Sequence, residues 1–195
     1  MRDENINAFF LVGGTALSLQ IGHRISIDID LFSEKSFDES VLSEYLESQK
    51  RLRLNYIARR TIKGQIDGIQ VDLITHAYPL VDDLIFEEGV RMASLKDIAA
   101  MKLNAIVGNG TRVKDFIDIA WLSSSFSLTD MVSFYEKKYQ AKNPFITLKA
   151  LSFHTEINFN EPIKFHSGVY SWKPIAARIA QMVKAPDKIF QSPPF

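Results

Sequence analysis

Two aspartates, Asp28 and Asp30, stand one residue apart in the run Ile25-Ser26-Ile27-Asp28-Ile29-Asp30-Leu31-Phe32, and a glycine pair, Gly13-Gly14, closes an earlier apolar run, Phe9-Phe10-Leu11-Val12. Side chains at i and i+2 of a strand share a face, so Asp28 and Asp30 are expected to project together. Neighbouring carboxylates repel, and a divalent cation between them relieves that repulsion. A glycine pair that opens a helix offers bare backbone N–H groups and a positive dipole end to phosphates. Phosphate cradle plus paired carboxylates is the apparatus of metal-assisted phosphoryl or nucleotidyl transfer.

The surrounding pattern must position these groups. Residues 8–12 read as a strand, 15–21 as a short helix entered through the glycines, and 25–32 as a second strand. A polar turn at 33–36 leads into a helix to about Gln49, with Val41, Leu42, Tyr45 and Leu46 on one side. Residues 52–62 read as one strand in the basic run Arg51, Arg53, Arg59, Arg60 and Lys63. Asp67-Gly68 is a two-residue hairpin signal that joins a run around 65–66 to an alternating strand over 69–74. That last strand sets Asp72 among apolar neighbours, where it needs a cation, a hydrogen-bond partner or an edge position facing water. After Tyr78-Pro79 the pattern turns helical. Ser94-x-x-Asp97 resembles a capping box, and Gly108-Asn109-Gly110 stops that helix. Further helices are expected over 112–122, over 128–139, from Pro144, and from Trp172-Lys173-Pro174 to about Lys184. Residues 156–170 show no clear pattern, and the tail at 192–195 is expected to fray. The boundary near residue 90 separates an α/β core over 1–90 from a helical domain over 91–195.

Gly13-Gly14, thirteen intervening residues and then Asp28-Ile29-Asp30 resembles the signature of the DNA polymerase β-like nucleotidyltransferase superfamily. The fuller string GGTALSLQIGHRISIDIDLF resembles the AbiEii/AbiGii-type nucleotidyltransferase toxins of bacterial abortive-infection and toxin–antitoxin systems. The resemblance implies an α+β fold, a mixed twisted sheet followed by a C-terminal helical region that completes the nucleotide site. It departs from the family in its short lead-in before Phe9, where members usually carry additional helix. Asp28 and Asp30 are the expected ligands of one or two Mg²⁺ ions, and Asp72 is the natural third carboxylate, which in the superfamily can act as base on the attacking hydroxyl. Gly13, Gly14 and Thr15 are expected to hold the triphosphate of an NTP, and Arg24 to neutralise phosphate charge. Ser26 either shares a strand face with Asp28 or makes a local structural hydrogen bond. Lys102, flanked by Ile98, Met101, Leu103 and Ile106, resembles the family lysine that contacts nucleotide phosphates. Lys114-Asp115-Phe116-Ile117-Asp118 resembles the family's later Lys/Arg-Asp-x-x-Asp motif, with Asp115 and Asp118 on one helix face. Asp118 and Lys102 are favoured for the nucleotide contact, although sequence alone does not separate Asp115 from Asp118.

The implied activity is Mg²⁺-dependent transfer of NMP from an NTP to an acceptor hydroxyl. The implied acceptor is RNA, with tRNA 3′ ends first, and a cognate antitoxin is expected to oppose the toxin. A small-molecule nucleotidyltransferase of the antibiotic-modifying kind shares the glycine and Asp-x-Asp core, and a non-catalytic nucleotide-binding module is the rival from another class. At 195 residues and 46% hydrophobic, with fourteen Phe, the chain can bury a real core. It has no Cys, which excludes disulfides and thiolate metal sites and fits a cytoplasmic protein. No apolar run is long enough to span a membrane, and the start Met-Arg-Asp-Glu has no signal-peptide core. A formal net charge of zero means that nucleic acid would have to be held by a local patch. The basic run from Arg51 to Lys63 is either that patch or a solvated edge that discourages sheet aggregation. His23 reads as a surface or capping residue, and His76, His154 and His166 show no spacing that suggests a metal site or a triad.

Overall fold

In the computed structural model, described over residues 3–165 and 170–194, the apolar runs assemble into one seven-stranded mixed sheet followed by helices. The described strands are β1 (Phe10–Leu11), β2 (Ile29–Ser33), β3 (Arg53–Ala58), β4 (Thr61–Ile66), β5 (Ile69–Thr75), β6 (Ile85–Glu87) and β7 (Val90–Met92). Their order is β3-β4-β5-β2-β1-β7-β6. The β2–β5 and β1–β7 pairs are parallel, and the rest are antiparallel. The described helices are α1 (Gly13–Ile21), α2 (Glu39–Lys50), α3 (Leu95–Gly108), α4 (Val113–Leu122), α5 (Leu128–Tyr139), α6 (Pro144–Ser152) and α7 (Trp172–Lys184). His166 lies outside the described residues.

Several local signals act as their chemistry requires. Asp67 and Gly68 both take positive φ, 50° and 83°, and close the tight β4–β5 hairpin. Ser94 accepts from the Asp97 N–H at 3.0 Å and so caps α3. The Asp97 carboxylate does not complete a capping box. It is fully buried, takes the Lys138 ammonium at 2.8 Å and the Val81 N–H at 2.9 Å, and so ties α3, α5 and the connection after β5 together.

Three expectations change. The stretch 52–62 is not one strand: it turns at Arg59-Arg60, with Arg60 at φ 65°, to make the β3–β4 hairpin. A Glu39 carboxylate receives the Arg60 N–H, and Arg60 O accepts from Thr75 N at 2.9 Å, so the start of α2 and the end of β5 hold that turn. The strand expected over 25–32 begins only at Ile29. Upstream of it the backbone is engaged elsewhere: Ile25 N donates to Lys164 O at 2.8 Å, Arg24 O accepts from Ser18 Oγ, and Asp28 O accepts from Thr15 Oγ1 at 2.5 Å. Finally, the chain returns to the sheet after Tyr78 through the β6–β7 hairpin, turned at Glu88 and Gly89 with φ 49° and 79°. The expected boundary near 90 falls at β7, which pairs with β1, and the helices start at Leu95.

The core is continuous from the sheet into the helices. Leu31, Val71 and Leu73 line one face of the sheet, and Ile98 and Leu103 of α3 and Phe116, Ile119 and Leu122 of α4 are buried in the same core. The α7 side chains Ile175, Ile179 and Met182 are buried in the same cluster. No helix among the described residues is long and apolar enough to cross a membrane.

Candidate active site

The parallel β2–β5 pair sets Asp30 beside Asp72 in register. Their neighbours Leu31, Val71 and Leu73 turn to the other face, so the carboxylates share the polar face. Asp28 stands exposed in the loop just ahead of β2, not on a strand as expected. Asp72 takes the Lys63 ammonium on Oδ2 at 2.6 Å and the Gln70 amide on Oδ1 at 2.9 Å. Burial, then the neighbouring Asp72 charge, push the Asp30 carboxyl above the usual range; Asp28 adds to the rise, while Lys102 and Arg112 oppose it. A cation beside Asp30 would oppose that rise. Among the described residues no three His, Asp or Glu side chains are gathered tightly enough to cage a metal. Mg²⁺ needs no such cage, since it is held by one or two carboxylates, waters and substrate phosphates. Asp28 and Asp30 fit that demand.

The glycine turn is built against these groups. Gly13 has φ 69°, and a Cβ there would lie 2.5 Å from Asp30 Oδ2. A Cβ on Gly14 would overlap the Arg24 guanidinium and lie 3.0 Å from Ser26 Oγ. Val12, the N-cap of α1, supplies no side-chain cap to the first-turn N–H groups, and a helix N-terminus of this kind suits an anion. Thr15 ties this turn to the loop ahead of β2. Its hydroxyl donates to Asp28 O and sits 3.1 Å from Ser26 Oγ, which fixes the loop that presents Asp28. Ser26 therefore makes the local structural contact.

Behind the glycines lies a buried ionic network. Asp118 on α4 is fully buried; it receives Arg24 Nε at 2.8 Å, Arg24 Nη2 at 3.0 Å and His23 Nε2 at 2.7 Å, and pairs with Lys102 Nζ at 2.7 Å. Lys102 on α3 also donates to Asp115 Oδ1 at 2.7 Å. Burial alone would raise the Asp118 carboxyl, but Lys102, Arg24 and His23 outweigh it and hold it well below the usual carboxylate range. For Lys102 burial pushes the ammonium down, and Asp115 and Asp118 reverse that and raise it. Two cations and two carboxylates balance here, which is what allows them to be buried at all. Asp118 thus has both oxygens occupied and no exposed surface; it holds Arg24 and Lys102 in place rather than facing a ligand itself. Asp115 is the link outward, with the exposed Arg112 guanidinium 4.0 Å from its Oδ2.

His23, expected as a surface or capping residue, is a buried member of this network. The Gly22 left-handed cap that ends α1 turns the chain inward there, with φ 63°. Lys63 leaves the basic run to pair with Asp72, while Arg51, Arg53, Arg59 and Arg60 stay exposed. An apolar groove of about 750 Å³, lined by Ile6, Leu31, Leu46, Val71 and Leu73 among others, lies on the opposite face from Asp30 and Asp72.

Two crystal structures from Helicobacter pylori, that of JHP933 and that of a candidate nucleotidyltransferase, each superpose with a TM-score of 0.54 at 18% identity. Each comparison covers 92% of this chain, with 84% of JHP933 and 86% of the other protein, a likeness of fold. An uncharacterised Aquifex aeolicus protein, aq_aa25, is 35% identical over 151 residues, covering 74% of this chain and 73% of that protein. The family model "Nucleotidyl transferase AbiEii toxin, Type IV TA system" matches residues 2–164, a span that takes in the glycine turn, the carboxylate row and the buried network. The chain belongs to the AbiEii nucleotidyltransferase toxin family of type IV toxin–antitoxin systems.

Proposed function

We propose that this nucleotidyltransferase moves NMP from a bound NTP to the 3′-terminal hydroxyl of RNA, with tRNA as the first candidate, in a Mg²⁺-dependent reaction in the cytoplasm. The observation that carries this reading is the in-register Asp30–Asp72 pair set against the Gly13-Gly14 turn. Asp28 and Asp30 would hold the metal, which supplies charge neutralisation to the triphosphate and the developing oxyanion. The first-turn N–H groups of α1 bind the phosphates, with the Arg24 guanidinium behind them. Asp72 lies beside Asp30 to accept the proton of the acceptor hydroxyl. That oxygen then bonds to the α-phosphorus, the bond to the β-phosphate oxygen breaks, and pyrophosphate leaves. Lys102 and Asp118 act by positioning: they fix Arg24 and bring positive charge towards Asp30. An antitoxin is the expected antagonist in the cell.

The zero net charge favours one rival, a small hydroxylated acceptor in place of RNA. One assay separates them. The protein is incubated with each α-³²P-labelled NTP, Mg²⁺ and total bacterial RNA, beside an Asp28→Asn/Asp30→Asn control. Label in a tRNA-sized band that vanishes in the control supports the RNA reading and names the nucleotide. NTP binding without label on RNA overturns it in favour of a small acceptor.

A further inference from the structure

Across four strands of the sheet the register places Tyr56 beside Lys63, Lys63 beside Asp72, and Asp72 beside Asp30, all on one face. A second row alongside holds Arg53, Gln65 and Gln70. The opposite face of β4 is the packed one: a Cβ on Gly64 would strike the Leu52 side chain next to α2. The Tyr56 face is open. Tyr56 is 54% exposed and makes no hydrogen bond or ring contact with any described residue, and the Lys63 side chain is 42% exposed although its ammonium touches Asp72.

An unpartnered aromatic ring in line with a cation and two carboxylates is an ordered set of binding groups. Aromatic faces stack bases without regard to sequence, and neighbouring cations hold the backbone phosphates. Two strand spacings, about 10 Å, separate Tyr56 from Asp72. The base, sugar and phosphate of a terminal nucleotide cover such a span. Resting on the RNA-acceptor reading above, we propose that this face is the acceptor subsite, with Tyr56 as the stacking platform for a base at a single-stranded RNA 3′ end. Lys63 and Arg53 take the adjoining phosphates, and the terminal hydroxyl is delivered to Asp72. Phosphate at Lys63 also draws the ammonium off Asp72, so that the carboxylate is freed only when acceptor is present.

The probe is a short single-stranded RNA with 2-aminopurine as its 3′-terminal base, titrated with the protein in the absence of NTP. Stacking on Tyr56 quenches its fluorescence, Tyr56→Phe retains the quench, and Tyr56→Ala abolishes it. Because Tyr56 is exposed, both variants should melt with the wild type. Absence of quenching in the wild type, or an unchanged titration for Tyr56→Ala, overturns the subsite. The labelling assay gives the second readout: Tyr56→Ala should raise KM for RNA and leave KM for NTP near the wild-type value. Wild-type labelling of RNA with no such rise overturns the subsite while the RNA reading stands. Quenching by a wild type that labels no RNA leaves a stacking site at Tyr56 and overturns its role as the acceptor subsite.

Discussion

Arg24 and Asp118, 94 residues apart in the chain, are joined by a two-pronged ion pair in the interior, Nε to Oδ1 at 2.8 Å and Nη2 to Oδ2 at 3.0 Å. The pair fastens α4 to the loop after α1 and sets the guanidinium against Gly14, so the helical half of the chain determines where that cation stands.

Asp118→Asn leaves Arg24 and Lys102 buried with Asp115 as their remaining carboxylate. Removing one partner of a buried pair costs about 3–5 kcal/mol, and at this size each kcal/mol lowers Tm by roughly 2–4 °C. A loss on the order of 10 °C is therefore expected at pH 7. The Asp118 carboxyl is held low in the folded protein. Its contribution is thus complete above the unfolded Asp value of about 3.9 and fades as pH falls towards the depressed folded value. The deficit of the variant should shrink in strong acid. Thermal melts of both proteins at pH 7 and pH 3 check this, and equal Tm values at pH 7 would contradict the bracing role.

Gly13→Ala and Gly14→Ala should impair the site for different reasons. At Gly13 a methyl meets Asp30 Oδ2 and the backbone sits at φ 69°, so strain of about 1–3 kcal/mol adds to displacement of a carboxylate. At Gly14 the methyl displaces the Arg24 guanidinium and leaves the Asp30 carboxylate in place. Calorimetry with a non-hydrolysable NTP should show weaker nucleotide binding in both variants. Mn²⁺ binding should change in Gly13→Ala alone, and equal Mn²⁺ affinities in the two would refute the distinction.

Much of the fold is legible in the sequence, because the informative signals are local. Gly13-Gly14 forces a turn, Asp67-Gly68 a hairpin, Ser94 a cap, and the alternation around Asp72 a half-buried strand. What stayed hidden depends on partners distant in sequence. Nothing near His23 says that it will be buried against Asp118, 95 residues on. Lys63 looks like one more basic residue until β4 brings it opposite Asp72. The 25–28 stretch alternates like a strand, yet Thr15 and Lys164 take its backbone groups. The β6–β7 hairpin is three residues a side, too short for periodicity to reveal.

Asp30→Asn should stabilise the protein in the absence of divalent metal. Burial and the Asp72 charge raise the Asp30 carboxyl in the folded state. A raised carboxyl favours folding only below the unfolded value and opposes it as pH climbs through the folded one. At pH 7 the substitution removes that opposition, and a gain of about 0.5–2 kcal/mol is typical for relief of this kind. Urea titration in EDTA at pH 7 should show the gain, and at pH 3 it should disappear. Added Mn²⁺ should stabilise the wild type more than the variant. A variant less stable than the wild type at pH 7 in EDTA would mean that Asp30 is structural rather than a cation ligand in waiting.

His76 gives the acid limb of the stability curve a separate test. Its ring stacks on Phe32, two residues beyond Asp30 on β2, at a centroid distance of 4.8 Å, and its Nε2 lies 3.1 Å from the Tyr139 hydroxyl on α5. Burial, then the Lys138 charge, push the imidazole down from 6.5 to about 4. Between those values the unfolded chain holds a proton on His76 that the folded protein does not. Stability contributed by the neutral ring is therefore complete above about pH 6.5 and is lost as pH falls towards 4. The side chain is half-buried, so the loss is set at about 1–2 kcal/mol after discounting for solvent. His76→Phe keeps the stack on Phe32 and removes the titration, and its urea stability should fall less between pH 7 and 4.5 by that amount. Parallel curves would assign the acid limb to the carboxylates alone. A flattened curve would show that the contact between β2 and α5, which backs the strand carrying Asp30, loosens in mild acid through this one ring.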